Sequence, residues 1–154
     1  MLLAVLFWLF GSYVFRTINC LPDFIKEMPA AKRKEYEALY KHRPKLTRTE
    51  FYDLCEDWAE RQGAKIKSQY HQYRLDEEQY IAKRDRILRD RLDGSNGSDA
   101  AKNYLRKLLD LQSNMDITLK AYETAEEEMR HSVLFDVLQE ATELWNLLDA
   151  AHID

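Results

Sequence analysis

Apolar side chains recur along this chain with the spacing of helices, and no segment shows the two-residue alternation of a strand. The sharpest case follows Leu46-Thr47-Arg48-Thr49-Glu50, where Phe51, Leu54, Cys55 and Trp58 stand at i, i+3, i+4 and i+7. Thr47 is placed to accept from the backbone N–H three residues on, and Glu50 to reach back to the Thr47 amide. Such a capping box is worth about 1 kcal/mol. Leu46 and Phe51 fit a hydrophobic staple, and Gly63 closes the helix near Gln62. Upstream, Pro22 and Pro29 punctuate a short segment with Phe24 and Ile25. A helix over about 30–42 follows, burying Tyr36, Leu39 and Tyr40 and ended by Arg43-Pro44, since a residue before proline is steered out of helical geometry. Downstream, Ile66, Tyr73, Tyr80 and Ile87 recur every seven residues, with Tyr70, Ile81, Leu88 and Leu92 beside them. They predict one long helix from 65 to about 93, roughly 40 Å at 1.5 Å per residue. Residues 93–99, Asp-Gly-Ser-Asn-Gly-Ser-Asp, read as a flexible loop. Ser98 or Asp99 then caps a helix burying Tyr104, Leu105, Leu108, Leu109 and Leu111, interrupted at 114–118. The last pattern carries Tyr122, Ala125 and Met129, and continues or restarts at Ser132 into Leu134, Val137, Leu138, Ala141, Leu144, Trp145 and Leu148. The expected fold is all-α: a single bundle of five or six helices with one long central helix.

Composition fits long helices. The 154 residues include only four Gly and three Pro, against a usual content of about 7% and 5%. Residues 2–15 are almost wholly apolar, broken by Gly11 and Ser12, and fall short of the roughly 20 residues that span a bilayer. They read as a secretory signal peptide over residues 1–20, removed to leave one helical domain, 21–154, with no stable membrane span. The basic n-region is missing, and an uncleaved anchor and an ordinary buried helix are the competing readings. Removing 1–20 takes away one cation, Arg16, and carries the formal net charge from −4 to −5. An acidic mature chain argues against nucleic acid as a partner. Removal also takes Cys20 and leaves Cys55, which lies on the Phe51/Leu54/Trp58 stripe and reads as a small buried apolar residue. Cleavage elsewhere would leave a Cys20–Cys55 bridge open to the chain. The dense cations of the long helix, Lys83, Arg84, Arg86, Arg89 and Arg91, alternate with Asp85, Asp90 and Asp93, the pattern of a solvated, ion-paired face.

Leu46-Thr47 and Ile117-Thr118 stand 71 residues apart, and superimposing them lays Tyr40 on Leu111, Phe51 on Tyr122 and Trp58 on Met129. Both places become helix, short loop, apolar-Thr, helix, as in two degenerate EF-hand-like halves whose loops pair. The stretch 55–73, with Trp58, Gly63, Lys65, Lys67, Tyr70 and Tyr73, resembles the signature of the nematode SXP/RAL family of small secreted proteins with an Anisakis-allergen-like cation-binding domain. The late Asn-x-x-apolar-Thr turn of that pattern falls here on Asn114, Ile117 and Thr118, and the resemblance covers roughly 36–145. It implies an all-α fold, extracellular release and divalent cation binding without catalysis.

The cation implication can be tested residue by residue. With Ile117 at loop position 8, the second loop offers Asp110, Gln112 and Asn114, then Met115 where the sharp-turn Gly belongs, then Asp116, and closes on Ala121 rather than a bidentate Glu. In the first loop Leu39, Lys41 and Arg43 fill the ligand positions, although Glu50 falls at the twelfth. Two cations rule that loop out. What is left is a weak, largely hydrated magnesium or calcium site at Asp110, Asn114 and Asp116. The competing reading, favoured by ordinary capping preference, is that Asn114 or Asp116 caps the next helix. Glu128-x-x-His131 is half of a di-iron motif with no second copy, a surface coincidence. No phosphate loop, nucleophile elbow, zinc motif or Cys-x-x-Cys is present, and Cys55 on its apolar stripe is a poor nucleophile. Asn96-Gly97-Ser98 is an N-glycosylation acceptor on the predicted loop.

The expectation is a secreted, extracellular, non-enzymatic glycoprotein with weak magnesium or calcium binding, no organic cofactor and an interaction role. The alternative is a carrier of a small apolar ligand such as a lipid, for which nine Tyr, six Phe and three Trp could line an interhelical cavity. Plain core packing is the simpler use of those rings.

Overall fold

The computed structural model describes residues 21–148. The signal-peptide reading, Cys20, and the end of the chain from 149 on lie outside the described residues. Within them the fold is all-α, as the periodicity predicts, with seven α-helices and one 3₁₀ turn. In chain order these are α1 (Asp23–Lys26), α2 (Ala30–Leu39), the 3₁₀ turn Arg43–Lys45, α3 (Arg48–Arg61), α4 (Ala64–Gly94), α5 (Asp99–Ser113), α6 (Leu119–His131) and α7 (Phe135–Leu147). The sequence predicts five or six. The extra element is α1, a single turn after Pro22 too short to show periodicity, and the last two patterns are separate helices. No helix among the described residues is long and apolar enough to cross a membrane.

The start of α3 carries the predicted capping box. Glu50 N donates to Thr47 Oγ1 at 3.1 Å, and Thr47 N donates to Glu50 Oε2 at 2.8 Å. Gly63 joins α3 to α4 at φ +101°, in the left-handed region where a side chain is strained. This lets the chain reverse in one residue.

Two apolar clusters result. One gathers Ile25, Tyr36, Phe51, Cys55, Trp58 and Tyr70 from α1 to the first turns of α4. The other gathers Leu88 and Leu92 from the end of α4 with α5 and α7. The seven-residue series in α4 is shared between them: Ile66 and Tyr73 pack on the first cluster and Ile87 on the second. Tyr80 packs on neither, and the six consecutive residues 78–83 are all exposed. The ion-paired face is present, with Arg89 reaching Asp85 at 2.8 Å and Asp110 at 2.9 Å.

The loop after α4 is shorter than its sequence suggests, because Asp93 and Gly94 finish α4 and Asp99 opens α5. Ser98 caps α5 by accepting from Ala101 N, and donates its own N and Oγ to Glu140 of α7 at 2.7 and 2.5 Å. Gly97 rests on Leu144, so near that an added Cβ would lie 2.3 Å from Leu144 Cδ1.

Gly97→Ala should therefore destabilise the fold by about 1–3 kcal/mol through overpacking. In the Leu144→Ala background, which opens the space, that cost should vanish. Urea unfolding of the four proteins checks this. The hydrogen bonds from Ser98 hold the Glu140 carboxyl below the ordinary value of 4.5. A depressed carboxyl contributes stability above its unfolded pKa and loses it as pH falls through the folded one. The Ser98 amide resonance should thus move as pH drops below 4.5, and Glu140→Gln should abolish that movement.

Candidate functional site

The two helix–loop–helix turns meet. Thr47 and Thr118 form an antiparallel bridge, and each caps the helix after it, Thr118 Oγ1 accepting from Ala121 N at 3.2 Å. The Met115 carbonyl accepts from both Arg48 N and Thr49 N, at 3.0 and 3.2 Å. Thr49 Oγ1 donates to Asp116 Oδ1 at 2.9 Å. Backbone and side chain thus bind the loop before α6 to the first turn of α3.

The structure places Asn114 and Asp116 at this junction and Asp110 near the end of α5, each with one side-chain oxygen engaged. Asn114 Oδ1 accepts from Asp116 N at 2.9 Å, an Asx turn. Asp116 is held by Thr49, and Asp110, 66% exposed at its side chain, is ion-paired with Arg89. Neither Asn114 nor Asp116 caps α6; that role belongs to Thr118. Gln112, the second oxygen of the loop at its position 3, is buried and so turned away from a solvated ion. A cation could use Asn114 and Asp116 from one turn, and would have to compete with Arg89 for Asp110.

The other sequence candidates are equally plain. Cys55 is buried, and burial pushes its thiol up to about 12, so at neutral pH it is a protonated packing group and no nucleophile. Glu128 and His131 are both exposed on α6, at the surface as expected. Asn96 is exposed on its loop, where a glycan can stand.

The aromatic residues pack on one another. Tyr36 meets Trp58 with ring centres 5.0 Å apart, and Tyr40 meets Phe51 at 5.1 Å. The space left among Tyr36, Tyr40, Tyr52, Tyr70 and Tyr73 is about 20 Å³, room for a single water. A shallow groove of about 320 Å³ lies among Phe24, Met28, Pro29 and Ile66, rimmed by Lys32 and Lys65. It is a surface depression beside the packed rings, not the aromatic-lined interior that the carrier reading pictures.

Arg43 and Arg48 are the residues that the sequence reading passed over. Both are buried. Burial, and for Arg43 the neighbouring Arg48 charge, pulls their pKa values down. For Arg43 the available signal was its place, with Lys41, at a ligand position of the first loop, which excluded calcium but said nothing about where the guanidinium would go.

Comparison of the chain with protein-family models, curated proteins and solved structures finds no match in any of the three.

If Asp110, Asn114 and Asp116 bind magnesium or calcium, affinity should be in the range of roughly 10⁻⁴–10⁻³ M, and Arg89→Gln, which releases Asp110, should tighten it several-fold. Amide NMR titration of both proteins decides. Unsaturable shifts in both would leave these residues with the ion pair and turn hydrogen bonds described above and no cation site.

Proposed function

We propose that this chain is a secreted, non-enzymatic helical protein that acts by holding another molecule outside the cell. Its extracellular release and its kinship to the SXP/RAL type rest on the apolar leader and on the 55–73 signature. Weak divalent cation binding at Asp110, Asn114 and Asp116 is an accessory property within that role.

The observation that supports an interaction role is the bare middle of α4. Residues 78–83 are all exposed, and among them Tyr80 is 38% and Ile81 37% exposed. A helix solvated all round gains nothing from a core at that point, so its apolar side chains are available to a partner. Acidic residues 76–78 precede it and Lys83, Arg84 and Arg86 follow, giving a partner an apolar centre between charges of opposite sign.

Two measurements test this. A eukaryotic secretory host should release the chain without residues 1–20, as N-terminal sequencing of the medium would show, and retention in the membrane fraction would overturn the extracellular reading. A photo-crosslinking residue at Tyr80 should then give a discrete adduct in extracellular fluid, with none from the same probe at exposed Glu37 on α2. Equal labelling at the two positions would remove α4 as the binding element.

A further inference from the structure

Between the first half of α3 and the middle of α4 lies a groove of about 350 Å³. Thr49, Tyr52, Asp53 and Glu56 form one wall, spaced i, i+3, i+4 and i+7 so that they share a face of α3. Tyr70, His71, Arg74, Leu75 and Glu78 of α4 form the other. Met115, whose carbonyl accepts from Thr49 N, joins the lining at the Thr49 end.

Most polar groups of the groove are committed to the fold. Arg74 lies 3.3 Å from the Tyr52 ring centre and is ion-paired with Glu77 and Glu78. Thr49 Oγ1 donates to Asp116 Oδ1, and Tyr70 Oη donates to the Tyr52 carbonyl at 3.2 Å. Asp53 and Glu56 differ from these. Among the described residues neither carboxylate has an ion pair or a side-chain hydrogen bond. Lys67, which feels the Glu56 charge, is itself bound to Glu60.

Two uncommitted carboxylates on one wall set the sign of a ligand, and the apolar surface in the same groove sets its kind. Leu75 is 37% exposed here, and Met115 and Tyr52 extend that surface. A small inorganic cation keeps its hydration and gains nothing from such side chains, whereas a cation with an apolar body buries surface against them. The size of the groove suits a small molecule, whose sites span roughly 300–1,000 Å³. A single helical turn of a docking partner, about 10 Å across and 5.4 Å long, already exceeds it.

We propose that the groove between α3 and α4 binds a small organic cation, its ammonium or guanidinium group held by Asp53 and Glu56 and its apolar body resting on Leu75 and Met115. Asp110, Asn114, Asp116, Tyr80 and Ile81 do not line the groove, so the site stands or falls independently of the divalent cation reading and of the exposed stretch of α4.

The experiment titrates the full chain with phenethylammonium chloride at neutral pH and constant ionic strength, read by amide NMR. Phenethyl alcohol and sodium phenylpropionate serve as the neutral and anionic counterparts, and magnesium chloride as the inorganic cation. Amides of residues 49–56 and 70–78 should shift along one saturating curve with the ammonium and with none of the other three. The Asp53→Asn, Glu56→Gln double variant should weaken the affinity by about tenfold. Leu75→Ala should weaken it severalfold. Asp57→Asn, at an exposed acid of the same helix outside the groove, should leave it unchanged. All four substituted side chains are exposed, and an unchanged urea midpoint checks that the fold is kept. A linear response to the ammonium would overturn the proposal. So would equal saturation of the same residues by the alcohol or by magnesium, or a double variant that binds as well as the parent.

Discussion

The bridge between Thr47 and Thr118 is the constraint on which the rest of the structure depends. Each threonine closes a helix start with its hydroxyl and offers its backbone to the other, so two local motifs become one tertiary contact. The Met115 carbonyl adds two hydrogen bonds from the first turn of α3. With these in place α6 lies against the 3₁₀ turn, and the two turns give the apolar clusters a second tie besides α4 itself. Without them the two clusters would share only the long helix.

The local parts of this arrangement were legible in the sequence because their causes are local. A capping box needs residues three apart, and an amphipathic stripe needs the next two turns. Both were read at Thr47 to Trp58 and both are present. Thr118 as a cap was legible only through the echo of Thr47; taken alone, Asn114 and Asp116 looked like better candidates. The seven-residue series in α4 was read correctly as one helix, but a period does not say what it faces. Ile66, Tyr73 and Ile87 face two different clusters, and Tyr80 faces water. That division is set by where α3 ends and α5 begins.

The candidate site was less legible, for a tertiary reason. Asp110 is occupied by Arg89 because α4 and α5 run back past each other, and no window of sequence contains both. Asp116 is held by Thr49 across the junction. Arg43 and Arg48 look like surface residues by type and are buried by place, the guanidinium of one lying over the Phe51 ring and that of the other against the Met115 sulfur. Cys55, by contrast, was legible as an inert packing group, because its stripe already fixed its surroundings.

The bare stretch of α4 has a mechanical consequence. A helix frays readily from its ends, but opening its middle creates two new termini, each with orphan backbone groups, and closing the gap again requires the costly nucleation step. Residues 78–83 are therefore stiff without being buried. They form a solvated strut between two apolar clusters that are also tied where the two turns meet. A rotation of one cluster about the axis of α4 would pass along the strut as torsion, and would be felt at the far end as a strain on the Thr47–Thr118 pairing.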